Sequence, residues 1–202
     1  MMSNLINDVR ITGRREGAAI MPRLLLLVLL FLLAACLLAP AQLSPRAGAV
    51  SDGLYTNLYF GLNYKLPADW LVSFVAMEGE CPRECMLLDA RAPGERSRRA
   101  ITITAEFLGT SVRGDHEALA GTSLEQAGAK KLAPVKEIVA AGRNFYRADY
   151  RSSVLGGELY HAVLMLPAQQ YAVVFSFSAE SRKQLDAMVD ELPKVLRFVG
   201  GS

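Results

Sequence analysis

The chain has 202 residues with a net charge of +2, enough for one domain behind a targeting segment. The surplus sits in residues 1–41, where Arg10, Arg14, Arg15 and Arg23 face Asp8 and Glu16; the remainder holds eighteen basic and eighteen acidic residues. A neutral domain of 161 residues carries no electrostatic footprint for nucleic acid, and that partner is set aside.

Leu24 to Ala39 is an almost unbroken apolar run of sixteen residues behind Arg23. A membrane span needs about 20 such residues and a signal-peptide core about 7–15, so the length falls nearer an export signal. Met21 stands directly before Pro22 and Arg23 and offers a second start. Three fates of this leader stay open. Ala39-Pro40-Ala41 is a small-x-small cleavage site, Leu33-Ala34-Ala35-Cys36 resembles a lipobox that would acylate Cys36, and the run can remain as an uncleaved anchor. Each puts residues 54–200 outside the cytoplasmic membrane, periplasmic or extracytoplasmic. Residues 42–53, rich in small residues, read as a flexible linker.

Leu58, Phe60, Leu62, Tyr64 and Leu66 alternate with polar or small residues, which predicts one strand, ended by Pro67. Trp70–Met77 reads as the next strand and Met86–Asp89 as its partner. Between them lies Cys81-Pro-Arg-Glu-Cys85. On a straight strand these cysteines stand about 13 Å apart; across a hairpin loop they fall inside the roughly 4.4–6.8 Å Cα window of a disulfide. An exported domain favours oxidation. A zinc site lacks a second ligand pair, and the spacing is not the C-x-x-C of redox catalysts. A Cys81–Cys85 disulfide is therefore expected.

Arg91–Arg99 is a Pro/Gly turn carrying Arg96, Arg98 and Arg99, a solvated loop or a contact for an anionic partner or lipid headgroup. Ile101, Ile103, Ala105 and Phe107 mark another half-buried strand. Arg113-Gly114-Asp115 precedes a modest helix from His116 to about Ala129, with Asp115 as its N-cap. Three strands follow from Arg143, turning at Gly156-Gly157 and at Pro167–Gln170. Leu159–Leu166 is apolar on both faces except for His161, so it should be central and covered on both sides. Arg147, Asp149 and Arg151 share one face of the preceding strand, which suggests an exposed charge ladder. Leu185, Met188, Val189, Leu192 and Leu196 form the stripe of a C-terminal helix. Ser181 and Gln184 resemble a capping box, and Pro193 should kink the helix or restart it.

A strand ending in Pro-x-x-Trp, then hairpins, a helix, a meander and an amphipathic C-terminal helix resembles the PsbP-like superfamily. Residues 55–70, YTNLYFGLNYKLPADW, carry most of the likeness. It implies an α+β fold in which an antiparallel sheet is sandwiched by helices (α/β/α), in proteins that mostly bind or assemble. None of that family's functional residues can be matched here.

The chemistry-bearing residues are few. The chain has two histidines. His116 falls at a helix start, and His161 reads first as a hydrogen-bonded core residue. No G-x-S-x-G elbow, P-loop, H-E-x-x-H or dinucleotide fingerprint is present. The expectation is a non-catalytic binding or assembly domain with no cofactor, no catalytic residues and no metal ligands. Its partner would be a protein or small ligand, met through Tyr55, Tyr59, Arg96, Arg98 and Arg99, and the N-terminal segment would engage the membrane. The alternatives are a hydrolase-type enzyme built on His161 with Arg147 and Asp149, or a purely structural envelope protein.

Overall fold

The computed structural model describes residues 43–77, 79–94, 97–109, 122–155 and 157–199. Cys36, Arg96, Arg113–Asp115 and His116 lie outside them. The first half of the domain contributes β1 (Gly48–Ser51), β2 (Leu54–Asn57), β3 (Leu62–Lys65), β4 (Leu71–Val75), β5 (Glu84–Arg91) and β6 (Ala100–Phe107). Then come α1 (Thr122–Gln126), β7 (Lys130–Lys131), β8 (Lys136–Ala140), β9 (Arg143–Val154), β10 (Gly157–Ala168) and β11 (Tyr171–Ala179). Helix α2 (Arg182–Val195) and strand β12 (Leu196–Phe198) close the domain.

Two antiparallel sheets result. The smaller runs β1-β2-β3-β12, and the larger runs β4-β5-β6-β11-β10-β9 with both β7 and β8 paired to the far edge of β9. The larger sheet follows the alternation of its strands. Ile101, Ile103 and Ala105 of β6 meet Phe175 and Phe177 of β11 and Ala162, Leu164 and Leu166 of β10 in the main core. Val163 and Met165, on the other face of β10, join Ala148, Tyr150 and Val174 in a second core. Strand β10 is central, and from Ala162 to Leu166 it is covered on both faces, because the apolar residues there run without a break and leave no side for water.

The helix-sandwiched α/β/α arrangement is not what forms. Among the described residues only α2 is long. It packs on one face of the large sheet beside the small sheet, which brings Tyr55, Leu62 and Tyr64 into the same core. The other face is covered by the segment around Leu124, Ala129 and Val135, where α1 is barely more than one turn. Gly128, at φ +84°, ends that turn by donating to Glu125 O, so the helix expected to reach about Ala129 stops early.

Three further differences have local causes. Strand β1 lies inside the segment read as a linker, and Gly48 lets it run against the Tyr55 ring, 2.8 Å from where a Cβ would stand. The strand expected over 58–66 is broken by a turn. Asn57 Oδ1 accepts the Phe60 N–H at 3.2 Å, Gly61 adopts φ +60°, and β2 and β3 pair as a hairpin across it. Ser181 does cap α2, accepting the Gln184 N–H at 3.3 Å. Pro193 sits in the last turn of α2, two residues before the helix ends. Leu196 then completes the buried stripe as a strand residue, paired with Tyr64.

Candidate functional site

Pro67 cannot donate to a ladder, so β3 ends there. Asp69, at φ +65°, tightens the turn that brings Trp70 back beside the helix. This turn, the end of the β5–β6 loop and one side of α2 enclose a groove of about 360 Å³. Tyr64, Pro67, Trp70, Ala187, Met188 and Val195 give it apolar walls, and Arg99, Gln184 and Glu191 supply its polar groups. Burial pushes the Tyr64 phenol well above its ordinary range, so it remains a neutral wall at any physiological pH. Glu191 is engaged by Lys194 at 2.8 Å. The volume falls at the small end of ligand pockets, which pair apolar lining with a few orienting polar groups.

The structure separates the residues expected to form a partner surface. Tyr55 is fully buried. Burial raises its pKa to about 12, while the Asn57 amide, donating to its hydroxyl at 3.4 Å, works the other way. Tyr55 is therefore core and not surface. Tyr59 is half-buried at the β2–β3 turn, edge-on to Phe60 and Tyr171 at 4.8 and 5.9 Å between ring centres. Arg98 ties its loop down. Its N–H donates to Glu180 at 2.6 Å, its guanidinium donates to Leu155 O, and its carbonyl accepts from Ser178. Among the described residues of that set, Arg99 lines the groove. The Trp70 motif was visible in the sequence, but its neighbours on α2 were not, because only the tertiary packing brings residues 67–70 and 184–195 together.

Cys81 and Cys85 are bonded, with Cα atoms 5.5 Å apart. They do not face each other across two strands: Cys85 belongs to β5, and Cys81 lies in the loop before it. The Cys81 carbonyl accepts the Tyr171 hydroxyl at 3.2 Å, which fastens the loop to the end of β11.

The charge ladder on β9 is not exposed. Arg147 and Asp149 point under α2 and are buried. Asp149 accepts from Arg147 Nε at 2.8 Å and from Arg182 Nη2 at 2.7 Å, and Asp186 accepts from Arg147 Nη2 at 2.8 Å. Burial works against the Asp186 carboxylate, but hydrogen bonds from Arg182 and Arg147 outweigh it and hold its pKa below the usual value. Only Arg151 behaves as expected, paired with Glu158 at 2.9 Å and partly exposed. The physical reason for the difference is α2, whose Arg182 and Asp186 supply the countercharges that make burial tolerable.

His161 pairs in register with Tyr150, whereas Asp149 and Arg147 pair with Ala162 and Leu164. Successive residues of a strand face opposite sides, so the sheet stands between His161 and those two charges. His161 is half-buried, its Nε2 lies 2.8 Å from Ser152 Oγ, and burial lowers its pKa. The Ser152 contact was not foreseen; the two residues come together only through the β9–β10 register. Among the described residues no three His, Cys, Asp or Glu side chains gather as metal ligands.

No protein-family model matches the chain, and no curated protein does. Solved structures do. Cyanobacterial PsbP (CyanoP) of Synechocystis matches with a TM-score of 0.54 at 12% identity, over 80% of this chain and 98% of that one. LpqN, a protein involved in cell envelope biogenesis of Mycobacterium tuberculosis, gives 0.47 at 10% identity over 69% of this chain and 83% of its own. A Bacteroides thetaiotaomicron protein gives 0.43 at 10%, with 49% of its own chain covered. The class defined by these two packed antiparallel sheets and one long helix is thus a known one. The chain has a PsbP-like fold.

Proposed function

We propose that the chain is an exported or membrane-tethered, non-catalytic binding module, and that its groove takes a small amphiphile with an apolar body and an anionic head. The observation that carries this reading is the groove itself: Trp70, Met188 and Val195 offer an apolar bed, and Arg99 is the cation in its wall. The alternative enzyme has no comparable support, since its three residues stand on opposite faces of the sheet. Trp70 is the single tryptophan and reports on occupancy directly. Titration with laurate or with anilinonaphthalene sulfonate should give a saturable change in its emission. Ala187→Phe, which fills the groove, should abolish that change, and Arg99→Ala should weaken it. Binding unaltered by both variants would place the ligand elsewhere. A hydrolytic turnover lost only in His161→Ala would overturn the non-catalytic reading.

A further inference from the structure

The two ends of the large sheet differ in chemistry. At the groove end stand Trp70, Arg91, Arg98 and Arg99, with Leu71 and Leu155 exposed beside the arginines. At the other end the chain enters the domain. Ser44 Oγ donates to Gly79 O at 2.5 Å, and Asn57 Nδ2 donates to Pro45 O at 2.8 Å, so the first described residues are held between the β2–β3 turn and the loop before Cys81. Tyr171 joins that loop to Tyr59 and Phe107, its ring 5.9 and 5.3 Å from theirs. Around this entry large apolar side chains are left in water: Leu43 is 51% exposed, Leu58 71%, Met77 76% and Phe107 43%.

We infer that this end rests on the bilayer and holds the groove away from it. The inference depends on the uncleaved-anchor form of the reading above, in which residues 24–39 stay in the membrane. Four steps separate Ala39 from Leu43. Fully extended, they span at most about 14 Å. The headgroup region on each side of a bilayer is itself several ångströms deep, so Leu43 cannot leave the interfacial zone by much. The groove end is different. Leu71 pairs with Arg91 at one end of β5, and Glu84 pairs with Glu106 at the other. Seven strand steps between them put Trp70 about 23 Å further out. Near the entry Arg46 and Arg83 face Glu80, Glu84 and Glu106, which leaves one carboxyl group in excess, and burial and the neighbouring Glu84 favour the neutral form of Glu106. Exposed Leu58, Met77 and Phe107, with Tyr59 beside them, are the side chains an interface takes up.

The full chain, reconstituted into phosphatidylethanolamine/phosphatidylglycerol vesicles with brominated acyl chains, tests this. Leu58→Trp and Met77→Trp, each combined with Trp70→Phe, place a reporter at the proximal end; both sites are exposed, so either can stand if the other misfolds. The unaltered chain carries the distal reporter, Trp70. Both proximal reporters should lose most of their emission to the bromolipid while Trp70 keeps its own. If the chain floats with the vesicles and no reporter is quenched, the tether stands and the docking falls. Quenching of Trp70 instead would reverse the orientation. Unquenched reporters with a crosslinked pair of chains would assign the apolar end to a second copy. A chain that stays in the soluble fraction would remove the tethered reading, and the inference with it.

Discussion

Asp149→Ala is the sharpest probe of how α2 is held to the sheet. The Asp149 side chain is 5% exposed and that of Arg147 7%, and Asp149 is the acceptor that Arg147 shares with Arg182. Removing it leaves Arg147 buried with Asp186 as its remaining ion-pair partner, and Asp186 is itself 41% exposed. Breaking a buried pair by deleting one partner costs about 3–5 kcal/mol, because the survivor stays uncompensated away from water. Asp186 still takes part of the charge, so the lower end, about 3 kcal/mol, is expected. Asp186→Ala should cost much less, about 1 kcal/mol, because that group is screened by solvent. Urea unfolding followed by circular dichroism reads both as a shift of the midpoint at unchanged slope. The double variant Arg147→Met/Asp149→Leu should recover most of the Asp149→Ala loss, since an apolar pair of similar size leaves no stranded charge. A loss below about 1 kcal/mol for Asp149→Ala, or no recovery in the double variant, would refute the argument that burial makes this pair costly to break.

Gly61→Ala should be strongly destabilising in the same unfolding assay, because a Cβ there would meet Val199 O at 2.3 Å in a backbone held at φ +60°. Cys81→Ser/Cys85→Ser should lower stability by about 2 kcal/mol, the loop-entropy value for so short a loop, and reducing agent should then have no further effect on the variant. His161 has a lowered folded-state pKa, so between its ordinary value of 6.5 and that lower value the unfolded chain binds the extra proton. Stability should therefore fall as the pH drops through that window and level off below it; His161→Gln should flatten this part of the pH profile measured by thermal unfolding.

Much of this fold can be read locally. The cap at Ser181 depends on residues three apart, the Cys81–Cys85 bond on residues four apart, and the central place of β10 on the unbroken apolar run from Ala162 to Leu166. Features that depend on a distant element were not legible. Arg147 and Asp149 look like a solvated ladder until α2 lays Arg182 and Asp186 over them. Those two, one turn apart and flanking Leu185 on the side that packs inward, were the available signal. The break at residues 58–61 was hidden because apolar alternation runs on through the turn. Asn57 and Gly61 bracketing Leu58, Tyr59 and Phe60 were the cue, since an Asn side chain can close a turn that a following Gly completes. Half of the groove was visible as Pro67-x-x-Trp70, and the other half belongs to a helix more than a hundred residues later.

Strand β12 gives the domain a direction in time. The small sheet has three strands within residues 48–65, but its fourth comes from residues 196–198, laid against β3 and fastened by the Val199 N–H to Gly61 O at 2.7 Å. Joining points so far apart costs closure entropy that only the finished contacts repay. Residues 196–198 must therefore have left the ribosome before this sheet can close. A polypeptide that threads a membrane from its N-terminus outward would make the crossing with β3 still waiting for its partner. Residues 196–199 then act as a latch, set only after the strands before them have arrived.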